Sequence, residues 1–308
     1  MKKVPHPIQY QGSKRNLAPI ILQYIPQGVD CLIEPFAGSA AISIAVAARH
    51  MAKTYLINDL NEPLVELLRL IVESPSNVAS FYETVWNEQY SDSIEHYYRV
   101  REGFNRTQDP RLFLYLLARC VKGSVRYNSE GMFNQSPDKR RHGTRPQTMR
   151  ANILSVSKLL KEKTEFSSLD YKAVLAKAKK LDLVYMDPPY QGVCGDRDSR
   201  YFSGITHANF VAALEELNSR DISYIVSYDG RRGEKAFGEL LPASLELARV
   251  ELEAGRSSQS TLLGRDEITY ESLYLSRALT DRLPCKPKDY HQPKAQQYVL
   301  LEPQAQYA

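Results

Sequence analysis

Asp187, Pro188, Pro189 and Tyr190 are consecutive and stand directly behind the apolar run Leu183, Val184, Tyr185 and Met186. The apolar run reads as a buried strand. Two prolines end it, because neither donates to a sheet ladder and each restricts the residue before it. The strand end therefore carries an acid, two exposed carbonyls and an aromatic ring in a stiff turn. Such a corner suits a flat base with an exocyclic amine: Asp187 and a proline carbonyl accept the two N–H bonds, and Tyr190 stacks on the ring. Ligands of open α/β sheets bind at that carboxyl edge. Alone, an acid and two prolines also fit an ordinary strand-end turn; Tyr190 and a second motif upstream favour a site.

The second motif is Ile33-Glu34-Pro35-Phe36-Ala37-Gly38-Ser39-Ala40-Ala41. It follows a strand signal over 29–33 and opens an Ala/Ile-rich helix expected to reach about Met51. A strand, a tight small-residue turn and a helix N-terminus form the first unit of a nucleotide-binding α/β domain. The turn lacks the full G-x-G-x-x-G pattern and no Walker lysine follows, so phosphate cradling has little support. A second strand signal over 54–59 ends in Asp59, 21 residues beyond Gly38. An acid there can accept hydrogen bonds from ribose hydroxyls. A small-residue turn and a ribose acid without phosphate features suit an adenosine ligand lacking a diphosphate, such as S-adenosylmethionine. A dinucleotide dehydrogenase competes for this half of the chain but leaves Asp187 to Tyr190 idle.

With these motifs in order, residues 8 to 277 resemble the DNA adenine-N6 methyltransferases of the Dam type (class alpha, D12 family), whose recognition region lies between cofactor and catalytic motifs. Tyr10-Gln-Gly-Ser-Lys14 resembles the segment that closes over the cofactor. Glu34, Pro35, Phe36, Gly38 and Ser39 resemble its methionine-binding turn, although the family often has further glycines where this chain has Ser39 and Ala40. Asp59 matches the ribose acid, and Asp170 with Tyr171 the pair that holds the cofactor's adenine. Arg126, Tyr127, Asn128 and Asn134, within the run 125–134, are similar to the DNA-probing loop. Asp187, Pro188, Pro189 and Tyr190 are the catalytic motif, with Asp187 also facing the cofactor.

The resemblance implies an α/β fold: a Rossmann-like S-adenosylmethionine-dependent methyltransferase sheet with an inserted helical DNA-recognition domain. The catalytic domain would comprise 1–73 and 148–280, the helical target-recognition domain 74–147, and an irregular tail 281–308. Aromatics in the insert (Phe81, Tyr82, Trp86, Tyr90, Tyr97, Tyr98) are expected to form its core. A chain of 308 residues has room for both units. It has no run of 18 apolar residues and no signal-peptide pattern, which points to a soluble protein of the cytoplasm, prokaryotic or phage by resemblance. The four cysteines and six histidines show no metal-ligand spacing. The cysteines are expected as reduced thiols, and no metal is expected.

The net charge of +4 is unevenly spread. Residues 111–150 hold nine Lys/Arg against two acids, which is +7 and leaves −3 for the rest of the chain. A basic stretch is usually a solvated face, but here the cations interleave with Tyr127, Asn128, Phe133 and Asn134, as on a nucleic-acid surface. Lys139, Arg140, Arg141 and Arg145 are expected on phosphates. Arg256, in a polar loop between two late strand signals, resembles the family's phosphate-contacting hairpin, against the plain alternative of a polar turn.

The expected reaction is methyl transfer to adenine N6 in duplex DNA, with the base flipped out to reach the site. A cognate restriction enzyme acting on the same site fits this reading; no obligate protein partner is evident. Two alternatives share the features. An RNA adenine-N6 methyltransferase would use the same corner, and a non-catalytic DNA-binding protein could retain the fold. A protein-amine methyltransferase fits less well, because those carry Asn at the first catalytic position and lack the basic insertion.

Overall fold

A computed structural model describes residues 4–90, 92–189, 205–232, 235–237, 239–256 and 268–284. The strands are β1 (Val29–Glu34), β2 (Ala52–Asn58), β3 (Thr164–Ser167), β4 (Leu183–Met186), β5 (Ser223–Arg232), β6 (Lys235–Phe237), β7 (Ala248–Arg256) and β8 (Ile268–Leu275). They form one sheet in the order β3-β2-β1-β4-β5-β8-β7, with β6 paired to the end of β5. The first five in that order run parallel, while β8 runs antiparallel to both its neighbours, β5 and β7.

The chain winds outward from β1 through β2 to β3 and then returns to β4 beside β1. The carboxyl ends of β1 and β4 therefore flank the point where strand order reverses, the place where such sheets open a crevice. Successive residues of the central strands face opposite cores. Leu32, Ile57, Leu183 and Tyr185 lie in one buried cluster, and Ile33, Leu56, Val184 and Met186 in the other. Burial on both faces explains why these strands read as unbroken apolar runs.

The helices are α1 (Ala18–Ile21), α2 (Ala41–Ala47), α3 (Glu62–Glu73), α4 (Pro75–Asn87), α5 (Ser93–Thr107), α6 (Pro110–Arg119), α7 (Pro146–Leu160), α8 (Tyr171–Ala176), α9 (His207–Ser219) and α10 (Arg277–Thr280). Asp92 and Asp109 cap α5 and α6 through their carboxylates. The helix after β1 is shorter than expected. His50 takes a left-handed conformation, and the bonds His50 N–H to Ala47 O and Met51 N–H to Val46 O close a Schellman end. Residues of α4 to α6, among them Val78, Tyr82, Phe104 and Phe113, share one buried cluster with α2 and the sheet. Of the aromatics expected in a core there, Tyr82 and Tyr97 are buried, whereas Tyr90 and Tyr98 are exposed. Among the described residues no helix is long and apolar enough to cross a membrane.

At the carboxyl edge, Asn58 is fully buried and all four hydrogen-bonding positions of its side chain are used. Its Nδ2 donates to Pro35 O (2.9 Å) and Leu169 O (3.0 Å), and its Oδ1 accepts from Leu169 N (2.8 Å) and Ser167 Oγ (2.8 Å). One carboxamide thus ties the loops after β1 and β3 to the end of β2. Asn58→Ala should destabilise the fold by roughly 2–4 kcal/mol, because it strands several buried polar groups at once. Denaturant unfolding with an unchanged m-value would register this loss.

Candidate active site

Four strand ends converge at this edge, and each brings part of the site. After β1, the turn through Gly38 takes a left-handed conformation (φ 50°) and presents its amide to Asp59 Oδ2 at 2.8 Å. Asp59 follows β2 directly; its other oxygen accepts from Asn61 N at 2.9 Å. Burial raises the Asp59 carboxyl above its ordinary value, an effect that the two amide bonds offset only in part. After β3, Asp170 caps α8 through Lys172 N (2.9 Å), and Tyr171 packs on Phe36 with ring centroids 5.3 Å apart. The Tyr171 hydroxyl is buried without a hydrogen-bond partner. After β4 come Asp187, Pro188 and Pro189; Tyr190 lies outside the described residues.

The amino-terminal segment bridges the turn after β1 and the end of β4. The Tyr10 ring lies against Gly38 so closely that a Cβ there would stand 3.0 Å from Tyr10 Cε1. Ser13 and Ser39 hydroxyls share a hydrogen bond of 3.0 Å. The Lys14 ammonium, 7 % exposed, sits 3.0 Å from Asp187 Oδ2 and 3.2 Å from Glu271 Oε2. Gln11 donates its amide to Gly123 O at 3.0 Å, and its side chain bonds the Ser124 hydroxyl. Tyr10, Lys14, Gly38, Ser39, Asp59 and Asp187 therefore come together, with Phe36, Asp170 and Tyr171 alongside on the neighbouring strand ends.

Glu34 and Pro35 are drawn to other partners. Pro35 gives its carbonyl to Asn58. The Glu34 carboxylate is buried at the end of β1 and accepts from the Ser43 amide (2.9 Å), with the Ser43 hydroxyl bonded to the same oxygen.

The segment 120–145 follows α6. Tyr127 and Phe133 pair across a tight hairpin. Asn128 Oδ1 accepts from Glu130 N and Met132 N at its tip. Tyr127 is half-buried, its ring edge-on to Phe133 and its hydroxyl 3.2 Å from Asn61 Oδ1. Arg126, Asn134, Lys139, Arg140, Arg141 and Arg145 are exposed. Arg119, counted among the basic residues of this stretch, is not on the surface. It is 1 % exposed, and its guanidinium donates to Asp138 O (2.9 Å) and Ser93 O (3.3 Å). Arg111 and Arg150 are paired with Asp109 and Glu83.

Buried donors hold the main chain of this segment along its length. Tyr97 donates to Gln135 O (2.9 Å), Gln89 to His142 O (3.2 Å) and Tyr82 to Thr144 O (2.6 Å). Arg256 belongs to β7 and lies at the far edge strand of the sheet.

Three residues at the site were not singled out from sequence: Asn58, Asn61 and Glu271. The signals were present. Asn58 and Asn61 flank Asp59, and Glu271 is a lone acid in the otherwise uncharged strand Ile268–Leu275.

Burial, with a smaller push from the nearby Asp187 charge, raises the Glu34 carboxyl from its ordinary 4.5 to about 7. Below the ordinary value the group is neutral whether folded or unfolded, and its contribution is fully present. As pH rises towards 7 the unfolded chain sheds this proton while the fold retains it, so stability falls. The loss across that window should be on the order of 3 kcal/mol. Glu34→Gln should flatten the slope, as read by unfolding midpoints between those two pH values.

The model of the "D12 class N6 adenine-specific DNA methyltransferase" family matches residues 10–254. The DNA adenine methylase of Serratia marcescens is 26% identical over 235 residues, 75% of this chain and 82% of the relative. That of Escherichia coli K12 is 29% identical over 237 residues, 74% of this chain and 81% of the relative. A type II methyltransferase, M1.LlaDCHI of Lactococcus lactis, is 25% identical over 212 residues, 66% of this chain and 70% of the relative. A solved rRNA methylase from Streptococcus thermophilus shares 8% identity and a TM-score of 0.36 over 86% of this chain and 97% of the other, a likeness that carries no weight. The family match spans the amino-terminal segment, the strand ends gathered at the sheet edge and the exposed basic segment between them, and the chain belongs to the D12 class of N6 adenine-specific DNA methyltransferases.

Proposed function

We propose that the chain transfers a methyl group from S-adenosylmethionine to N6 of an adenine flipped out of duplex DNA at one short sequence. The observation that carries this reading is the placement of Asp187: at the strand-order reversal, held by Lys14 at 3.0 Å, beside the Gly38–Asp59 turn. The residues around that turn fit the cofactor. Asp59 keeps lone pairs for a ribose after accepting two amides, the half-buried Phe36 ring, backed by Tyr171, offers an adenine an apolar face, and Asp170 stands next to them. No set of basic groups for a diphosphate gathers at Gly38 among the described residues. When bound, S-adenosylmethionine supplies an electrophilic methyl group on sulfur.

The chain's part is positioning and electrostatics. The amino lone pair of adenine is delocalised into the ring, which makes N6 a poor nucleophile. Asp187 and the Pro188 carbonyl accept from N6–H, draw the nitrogen towards tetrahedral geometry and stabilise the positive charge that develops there. That charge grows as the N–CH3 bond forms and the CH3–S bond breaks to leave a neutral thioether; the surplus N6 proton then passes to solvent. Pro189 stiffens the turn, and Tyr190 stacks on the flipped base. Holding both reactants in line replaces a bimolecular encounter. The Tyr10–Lys14 segment closes the cofactor side, with Glu34, Pro35 and Ser39 shaping the turn beneath it.

On this reading, residues 1–73 and 148–280 are the catalytic unit and 74–147 the recognition unit, with 281–308 a tail. Exposed Arg126, Asn134, Lys139, Arg140, Arg141 and Arg145 meet the DNA, joined by Arg256. Tyr127 and Asn128 enter the duplex, and Tyr127 leaves Asn61 to do so. The enzyme would act in the cytoplasm of a prokaryotic or phage-infected cell. Its likeness to a type II methyltransferase supports a cognate restriction enzyme at the same site.

Expression in a host lacking adenine methylation should give N6-methyladenine confined to one short motif in the genome; unmodified DNA from a folded, cofactor-binding protein would refute the proposal. Asp187→Ala should abolish transfer and leave cofactor binding intact, measured by calorimetry beside turnover. Replacing Arg140 and Arg141 by Gln should reduce the salt slope of DNA binding by about 0.9 for each phosphate that the two guanidinium groups neutralise.

A further inference from the structure

The third member of the Asp187 cluster has no assigned part in the reaction. Glu271 comes from β8, which runs antiparallel to β5. Ser227 pairs with Leu273 and Gly230 with Glu271, so β5 spends one residue more than β8 between those positions. An extra residue of this kind re-aims the side chains around it. Gly230 makes the close approach there feasible, because a Cβ at that position would stand 2.6 Å from Tyr270 O. The outcome places Glu271 Oε2 within 3.2 Å of Lys14 Nζ and 3.4 Å of the Ser227 hydroxyl, which donates to it.

Lys14 is thus one buried ammonium between two carboxylates. If it belonged to Asp187 alone, its full charge would act on the oxygen atoms that must accept from the substrate amine and stabilise its developing positive charge. A second carboxylate on the other side divides that charge and fixes the ammonium in place. It also leaves the trio with a net negative charge facing the reacting nitrogen.

We propose that Glu271 is a positioning residue for methyl transfer, sharing Lys14 with Asp187 and thereby setting how strongly Asp187 accepts from the target amine. This rests on Asp187 being the acceptor. Glu271 acts through Lys14 and touches neither the base nor the methyl donor, so its loss slows the transfer step without weakening binding.

The test is single-turnover methylation of genomic DNA from an adenine-unmethylated host, with labelled S-adenosylmethionine and the full chain. Glu271→Gln should lower the transfer rate about tenfold, with cofactor and DNA affinities within about twofold of wild type. Glu271→Asp should recover most of the rate. Lys14→Met and Lys14→Met/Glu271→Gln should transfer at the same rate as each other, because the second change has no effect once the shared ammonium is gone. A wild-type rate for Glu271→Gln, a loss confined to affinity, or additive effects in that cycle would overturn the proposal. Asp187→Asn separates the two levels. If it turns over normally, the reading of Asp187 fails; if it is inactive while Glu271→Gln is unaffected, only the role of Glu271 fails. Should Glu271→Gln not fold, Ser227→Ala, which removes a hydrogen bond to Glu271, gives the readout: a rate about threefold lower at unchanged affinity supports the role, and an unchanged rate rejects it.

Discussion

The Asn58 carboxamide is the constraint on which the site depends. Parallel strands deliver their functional residues from loops, and loops at a sheet edge carry main-chain groups that need partners once buried. Here a single side chain supplies them for the loops after β1 and β3 and fixes both against the end of β2. The Gly38 turn gains a second anchor from Ala37 N–H to Asn58 O at 2.9 Å. Asp59, Phe36 and Tyr171 therefore hold a common geometry although they come from three separate stretches of chain.

A second layer of order comes from the amino-terminal segment. Its contacts are short-range and mostly polar: Tyr10 on Gly38, Ser13 on Ser39, Gln11 on Gly123 and Ser124, Lys14 on Asp187 and Glu271. The Gly38 turn, Asp187 and the start of the basic segment are thereby held by a few consecutive residues. Gly123 itself accommodates the Gln9 main chain at a distance that leaves no room for a Cβ. Tyr127, Asn61 and Asp59 form a further polar link between the hairpin and the end of β2.

Much of this was legible in the residues. Strands buried on both faces announce themselves as apolar runs, and Gly38, Asp59 and Asp187 stand at their ends, where a parallel sheet puts its chemistry. The strands β1, β2 and β4, the late pair β7 and β8 and the helical character of α4 to α6 agree with what the pattern predicts. Three things were not legible, each for a physical reason. The extent of α2 depended on a left-handed His50, a conformation that its residue type does not announce. The charge count over 111–150 treated every cation as surface, whereas Arg119 spends its donors on backbone carbonyls inside the helical layer. Glu271 is distant in sequence from Lys14 and Asp187, and only the antiparallel return of β8 beside β5 brings it to them.

The way the basic segment is held has a consequence for how such a protein can change. Tyr97, Arg119, Gln89 and Tyr82 grip its stretch over 135–144 by carbonyl oxygens, which every residue type possesses. The path of the chain there does not rest on the exposed side chains of Lys139, Arg140 and Arg141, which can be exchanged one at a time while the loop keeps its course. Surface charge and loop path are thereby uncoupled.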